Sequence, residues 1–352
     1  MATIEELLAL CVSQDSSDLH LVPGTPPYLR IHGELKVVEG EPVIDQKRAE
    51  DLLYPLLSQE LRDQLLVNKE VDFSYQFKDL GRFRINAYFH KGMLAAAMRL
   101  IPTKIKTIEE LHLPQIFHEF AKYTQGFVLV TGPTGQGKSS TLAAVIDEIN
   151  QNRAEHILTI EDPIEYIYTP KKSIISQREL HADTHSWEVA LKSALREDPN
   201  VVLVGEMRDY ETIAAALTVA ETGHLVFATL HTNSASQTVD RIIDVFPEHQ
   251  QGQIRMQLSS TLAGIVSQRL LPSLKGGRIA AVDVMLATSA VKNIIREGKT
   301  YQLDNVISTS SELGMISLES SLAKLVNNGD VSYQKAKEHA LNPDQFDRMI
   351  KK

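Results

Sequence analysis

The sequence has a single cysteine, Cys11, among 352 residues. One thiol cannot form an internal disulfide, and it cannot supply the four cysteines of a zinc ribbon. The sequence also lacks any apolar run that approaches the ~18 residues of a membrane-spanning helix. Its first residues include Glu5 and Glu6 and show neither the basic start nor the cleavage site of a secretory signal. We therefore expect a cytoplasmic protein with no transmembrane segment.

Basic residues are fewer than acidic ones. Lys and Arg number 36 and Asp and Glu number 45, which gives a net charge of −9. This balance, without a stripe of basic and aromatic residues, argues against a nucleic-acid partner.

The composition, 43% hydrophobic and 23% charged, is typical of globular proteins, and the length allows two domains.

Residues 1–101 alternate between apolar and polar residues in short segments that are separated by glycine turns. This pattern predicts a mostly antiparallel sheet. Helical spacing of apolar residues predicts two helices, at 3–13 and 45–66, that pack on the sheet. We expect a small α+β domain here, followed by a linker at 102–112. The predicted strands lie in SDLHL, PYLRIHG, ELKVV, VDFSYQF, RFRINAYFH and AAAMRLIP.

A different pattern begins at Gly126, where nearly continuous apolar strands alternate with helical segments. Such strands are typical of a parallel sheet that is covered on both faces. The strands are FVLVTG, HILTIED, VVLVGE and LVFATLHT, and we predict helices at 139–150, 186–196 and 210–222. After Pro247 we expect mainly helix, with one strand at 278–287. Residues 113–352 thus form an α/β domain whose last part, from about 288, is mainly helical.

The segment GPTGQGKS, from Gly132 to Ser139, fits the P-loop pattern G-x-x-x-x-G-K-[ST] between a strand and a helix. Its glycines let backbone N–H groups surround a phosphate, and Lys138 would reach the β- and γ-phosphates of ATP. Ser139 would bind Mg²⁺. The predicted nucleotide-binding residues are Gly132, Pro133, Thr134, Gly135, Gln136, Gly137, Lys138, Ser139 and Ser140.

Two acidic residues stand where apolar strands end, which is the edge of a parallel sheet where ligands bind. We predict that Glu206 is the general base for the attacking water, and that Glu161 holds Mg²⁺ or orders the water. His224 and His231 frame a further strand. A histidine at such a place can bond to a phosphate or to a catalytic carboxylate.

Four segments together resemble the boxes of the secretion ATPase superfamily. GPTGQGKSS resembles its P-loop, LTIEDPIEY its Asp box, REDPNVVLVGEMRD its Walker B box, and TGHLVFATLHTNSASQTVDRIIDVFP its His box. The opening SDLHLVPGTPPYLRIHGEL and the later VKNIIREGKTYQL are similar to the branch that retracts type IV pili. The resemblance extends from about residue 17 to 346.

The resemblance implies a PAS-like N-terminal domain and a RecA-like ATPase domain in a homo-hexamer. It implies ATP hydrolysis coupled to domain rotation, at the cytoplasmic face of the inner membrane, against a platform protein of the pilus. It gives Glu206 the Walker B base position, Glu161 the Asp-box acid, and His224 and His231 the His box. It also implies that an arginine of the N-terminal domain acts on the neighbouring subunit's nucleotide; the candidates are Arg82, Arg84 and Arg99.

The sequence departs from the family pattern in the P-loop and near its C-terminus. Gln136 replaces the usual serine and Ser140 the usual threonine, and AVKNIIRE at 290–297 replaces AIRNLIRE, a segment that the family ties to retraction. An accessory retraction ATPase and a pilus-assembly or type II export ATPase stay open as alternatives. The last group usually carries a four-cysteine zinc insertion, which Cys11 alone cannot form.

Overall fold

A computed structural model describes residues 1–31, 33–102 and 104–350. His32 of the predicted second strand, Thr103 of the predicted linker and residues 351–352 lie outside the described residues. The chain divides into two compact units. The first is Met1–Lys104 with Glu165–Ile167, and the second is Ile105–Ile164 with Tyr168–Lys352. No helix in the described part of the chain is long and apolar enough to cross a membrane.

The first unit contains a six-stranded sheet in which every neighbouring pair is antiparallel. Its order is β3-β2-β1-β6-β5-β4. Leucines from the helices and alternate residues of the strands form its core, as the alternating pattern predicts. The strands are β1 Asp18–Leu21, β2 Tyr28–Ile31, β3 Glu34–Val37, β4 Glu70–Phe77, β5 Gly81–His90 and β6 Met93–Ile101; the helices are α1 Ile4–Ser13, α2 Gln46–Leu53 and α3 Gln59–Asn68.

The single helix predicted at 45–66 is wrong, because the structure has α2 and α3 in its place. A 3₁₀ turn, Tyr54–Leu56, separates them and contains Pro55. Proline lacks an N–H and its ring crowds the preceding turn, so α2 cannot continue through it. Ser58 then begins α3, where its side chain accepts a hydrogen bond from the backbone N–H of Leu61 at 3.3 Å.

The second unit contains a seven-stranded sheet in the order β13-β12-β7-β11-β10-β8-β9. All pairs are parallel except β12 with β13. Every residue of β10 and β11 is buried, as expected for strands that helices cover on both faces. The strands are β7 Gly126–Thr131, β8 His156–Glu161, β9 Ile174–Glu179, β10 Val201–Val204, β11 Leu225–Leu230, β12 Leu262–Pro272 and β13 Arg278–Leu286.

The helices of the second unit surround this sheet and continue to the end of the described chain. The last five give the mainly helical part that the sequence predicts. They are α4 Ile116–Lys122, α5 Lys138–Asn152, α6 Trp187–Ala194, α7 Tyr210–Glu221, α8 Ala235–Asp244, α9 Glu248–Thr261, α10 Ser289–Glu297, α11 Leu303–Thr309, α12 Leu318–Asn327, α13 Tyr333–His339 and α14 Pro343–Met349.

Strand β12 was not predicted, because the sequence after Pro247 favours helix except at 278–287. In the structure β12 begins directly after α9 and lies between β7 and β13. Most of its residues are buried, including the polar residues 267–269 in its middle, so its sequence lacks the alternation that marks a half-buried strand. Gly264 fits this crowded place, because a Cβ there would lie 2.8 Å from the ring of Phe120.

Candidate active site

The P-loop joins the end of β7 to the start of α5. Its three glycines, Gly132, Gly135 and Gly137, have φ angles of +141°, +78° and +81°, which residues with a side chain rarely adopt. A Cβ on Gly132 would also lie 2.5 Å from the carbonyl oxygen of Gln268 on β12. The loop can therefore keep this shape, with its backbone open to a phosphate, only with glycine at position 132.

Lys138 is the first residue of α5 and is only 9% exposed. Its Nζ donates to the carbonyl oxygens of Gly132 at 2.7 Å and Pro133 at 3.2 Å. The ammonium group thus lies against the loop that it follows. Ser139 comes next, in the first turn of the helix, where the exposed N–H groups and the helix dipole favour an anion.

Two carboxylates stand at the same edge of the sheet. Glu161 ends β8 and Glu206 lies just beyond β10, and these parallel neighbours are in register at Ile160 and Val204. Glu161 is 7% exposed and accepts a hydrogen bond from Thr159 Oγ1 at 2.7 Å.

Gly205 makes room for this pair of acids. A Cβ on Gly205 would lie 3.2 Å from the Cα of Glu161. This contact is tighter than side chains normally allow, so glycine at position 205 lets the ends of the two strands approach.

The carboxylate of Glu206 binds two basic side chains. Arg208 contacts both of its oxygens, from Nε to Oε1 at 2.8 Å and from Nη2 to Oε2 at 2.9 Å, and His231 Nε2 lies 3.0 Å from Oε1. Burial of Glu206 opposes its ionisation, but the hydrogen bond from Arg208 and the charges of His231, Arg208 and Lys138 outweigh it and lower its pKa. Glu206 is therefore ionised at neutral pH, as a general base must be.

The structure separates the two predicted histidines. His231 follows β11, which lies between β7 and β10, so it stands between the P-loop and Glu206. His224 precedes β11, about 20 Å away along a six-residue strand. Its Nδ1 lies 3.0 Å from Val219 O and 3.0 Å from Thr222 Oγ1, at the end of α7. The structure therefore does not bring His224 to Glu161 and Glu206 within one chain, and the catalytic role of His224 stays a prediction.

The three candidate arginines lie on the sheet of the first unit. Arg82 and Arg84 are on β5 and Arg99 is on β6, where Arg99 is the cross-strand partner of Arg84. Arg99 Nε donates to Asp18 Oδ1 at 2.9 Å. Arg84 is exposed and has no ion pair among the described residues. The guanidinium of Arg84 therefore has no carboxylate partner in the part of the chain that the structure describes.

Sequence reasoning missed three residues that contact this site. Arg208 lies only two residues after Glu206 in VGEMRD. This proximity to the predicted base could have indicated an ion pair between the two side chains. Gln268 and Arg269 lie on β12 and bond to residues of the P-loop and of the segment after His231. They were missed because the sequence analysis expects helix where β12 lies, and so does not place these residues beside the P-loop.

The oxygen ligands that the site offers suit a magnesium ion that binds together with a nucleotide. Mg²⁺ prefers oxygen ligands and commonly uses one or two protein groups together with phosphates and water. The hydroxyl of Ser139 and the buried carboxylate of Glu161 are of this type. The described residues contain no cluster of three or more His, Cys, Asp or Glu that could hold a metal without phosphates.

Comparisons with known proteins identify the family of the chain. The family model for "Type II/IV secretion system protein" matches residues 96–295. The chain belongs to this family. Members that it resembles over nearly their whole length include the Type IV pilus retractation ATPase PilT of Pseudomonas aeruginosa, with 46% identity over 97% of this chain and 99% of the relative. The Type IV pilus ATPase PilU of the same organism is 40% identical over 99% of this chain and 91% of its own.

A solved member of the same type II/IV secretion system family has nearly the same fold. The crystal structure of the pilus retraction motor PilT with bound ADP has a TM-score of 0.92 and 44% identity, and covers 99% of this chain and 100% of its own. The fold of the present chain is therefore that of a RecA-like ATPase preceded by an N-terminal domain. This confirms the fold class that the sequence predicts.

Proposed function

We propose that this chain is the ATP-hydrolysing subunit of a motor that retracts type IV pili. The observation that carries the proposal is its end-to-end likeness to PilT in both sequence and fold. The active-site geometry supports the hydrolytic part, because an ionised Glu206 and a P-loop lysine stand at one edge of one sheet.

Each residue has a defined task in the hydrolysis of ATP to ADP and phosphate. The backbone of the P-loop and Lys138 bind the β- and γ-phosphates and offset their charge. Glu206 accepts a proton from the water whose oxygen attacks the γ-phosphorus. Ser139 and Glu161 would hold Mg²⁺, which offsets the charge that develops on the phosphate oxygens. Arg208 and His231 keep the carboxylate of Glu206 ionised until it takes the proton.

We further propose that six subunits form a ring at the cytoplasmic face of the inner membrane, where they act on a platform protein of the pilus. In such a ring an arginine of one subunit completes the site of its neighbour, and Arg84 is the best placed by charge. Mixing each of Arg82→Ala, Arg84→Ala and Arg99→Ala with Glu206→Gln subunits tests this. Hydrolysis recovers in the mixture only if the substituted arginine acts in trans, and no recovery in any mixture would remove the idea.

An accessory retraction motor is the second candidate, because PilU also matches this chain nearly from end to end. A pilus-assembly or export motor is less favoured, since Cys11 alone cannot form the four-cysteine zinc insertion usual in that group. DNA as the object of the motor is disfavoured by the net charge of −9.

Twitching motility in cells distinguishes these functions. The chain is expressed in P. aeruginosa cells that lack PilT and, separately, in cells that lack PilU, with Lys138→Ala as the inactive control. Restored twitching in the PilT-lacking cells is the expected result. Restoration only in the PilU-lacking cells would indicate the accessory role, and ATP hydrolysis without restoration in either strain would reject pilus retraction.

A further inference from the structure

Strand β12 presents two consecutive side chains to two different parts of the active site. Gln268 and Arg269 are 2% and 8% exposed. Neighbouring residues of a strand point to opposite faces of the sheet, so the two side chains approach different loops. One loop is the P-loop, which carries Lys138, and the other is the segment that follows His231. Gln268 and Arg269 themselves are not among the residues assigned to bind or hydrolyse the nucleotide.

Gln268 bonds to the P-loop and to the helix that follows it. Its Nε2 donates to the carbonyl oxygen of Gln136 at 2.7 Å, and its Oε1 accepts from Thr141 Oγ1 on α5 at 2.8 Å. The backbone N–H of Leu270 returns a bond to Gln136 Oε1 at 2.7 Å. Buried polar groups that are fully bonded in this way favour one conformation. Gln136, which stands where the family pattern of the P-loop, given in the sequence analysis, has serine, thereby gains a contact that serine is too short to make.

Arg269 bonds to the segment that carries His231. Its Nη2 donates to Asn233 at the backbone oxygen, 3.3 Å, and at Oδ1, 3.0 Å. Nearby on β13, Asp283 Oδ2 accepts from the backbone N–H of Ala235 at 3.0 Å. The segment from His231 to the first residue of α8 is therefore fixed at two places, Asn233 and Ala235. Arg269 Nη1 is buried without a hydrogen-bond partner in the described part of the chain. A buried donor without a partner costs free energy and is uncommon in native structures.

We propose that Gln268 and Arg269 are positioning residues with separate tasks. Gln268 holds the P-loop in the shape that binds the phosphates, and Arg269 holds His231 against Glu206. The proposal rests on the hydrolysis of ATP at this site. It predicts that the two substitutions act on different kinetic constants, which a general loss of stability would not do.

Steady-state phosphate release and equilibrium binding of a non-hydrolysable ATP analogue test the split. Gln268→Met removes the donor and the acceptor but keeps the volume, so KM and the analogue Kd should rise about 10-fold while kcat stays within about two-fold. Arg269→Lys keeps the positive charge beside Asp283 but loses the paired contact with Asn233. We expect kcat to fall about 10-fold with KM and Kd unchanged within about two-fold.

Two further substitutions test the same contacts by changing the loop partners, Gln136 and Asn233, in place of the buried residues of β12. They are expected to disturb folding less. Gln136→Ser removes the bond to Leu270 and should raise KM, and its effect should be less than multiplicative with Gln268→Met. Asn233→Ala should lower kcat and be similarly non-multiplicative with Arg269→Lys. Multiplicative effects in both pairs would overturn the proposal.

Arg153→Lys is the matched control for a half-buried arginine that binds backbone oxygens. Arg153 Nη1 donates to Ala121 O at 2.9 Å and Tyr123 O at 2.6 Å, at the far end of α5 and about 22 Å from Lys138. Arg153→Lys should lower the melting temperature of the protein without changing its KM or kcat for ATP. If Gln268→Met and Arg269→Lys change the same constant, the inference is wrong. A wild-type chain that does not hydrolyse ATP would instead refute the proposed function.

Discussion

Replacement of Glu206 by glutamine separates nucleotide binding from hydrolysis most sharply. Glutamine keeps the size of the side chain and can accept one of the two bonds from Arg208 with its amide oxygen, but an amide cannot accept the proton of the attacking water. Loss of a general base typically lowers a rate by about 10²–10⁴-fold. Lys138 donates to the carbonyl oxygens of Gly132 and Pro133, and the substitution removes neither of these bonds. Affinity for ATP should therefore change by less than about three-fold.

The measurement pairs phosphate release under saturating ATP with calorimetric binding of an ATP analogue. Glu188→Gln is the matched control, because Glu188 is an exposed carboxylate on α6 whose partner is Lys192 at 2.5 Å. The control should leave both quantities unchanged. If Glu206→Gln keeps more than about a tenth of the wild-type turnover, Glu206 is not the base.

Three further predictions concern binding, pH and the single thiol. Lys138→Ala should weaken binding of the ATP analogue at least about 10-fold, and an unchanged Kd in calorimetry would contradict the assigned P-loop. Burial raises the pKa of Asp283 from 3.8 to about 7, so its contribution to stability is full below pH ~4 and is lost as the pH rises through 7. Asp283→Asn should remove that loss; equal falls in melting temperature from pH 5 to pH 8 in both proteins would count against it. Burial also raises the pKa of Cys11 to about 12, so a thiol reagent at pH 8 should label the unfolded but not the native protein, and rapid labelling of the native state would show that Cys11 is accessible.

The nucleotide site could be predicted because its residues follow from local rules. A glycine-rich segment between a buried strand and a helix identifies the P-loop, and the ends of parallel strands locate Glu161 and Glu206. His224 lies at the other edge of the sheet because it precedes β11, and only residues that follow parallel strands meet the P-loop, which the predicted parallel sheet already implies. The parallel register, in which Gly126 pairs with Leu225 and Thr131 with Leu230, confirms this.

Contacts between distant parts of the chain could not be predicted. Gln136 lies 132 residues before Gln268, and only the placement of β12 beside β7 brings them together. Both faces of β12 are buried, so its sequence shows no alternation. The break in the helix predicted at 45–66 was readable, because Pro55 marks it directly.

Chain mass by light scattering with and without Mg²⁺ and ATP, recorded beside phosphate release, tests the ring motor most directly. We predict particles of six chain masses that release phosphate steadily, at a rate that DNA does not change. A monomer with no turnover under all these conditions would contradict the proposed motor, and turnover that rises severalfold with DNA would indicate a nucleic-acid motor instead.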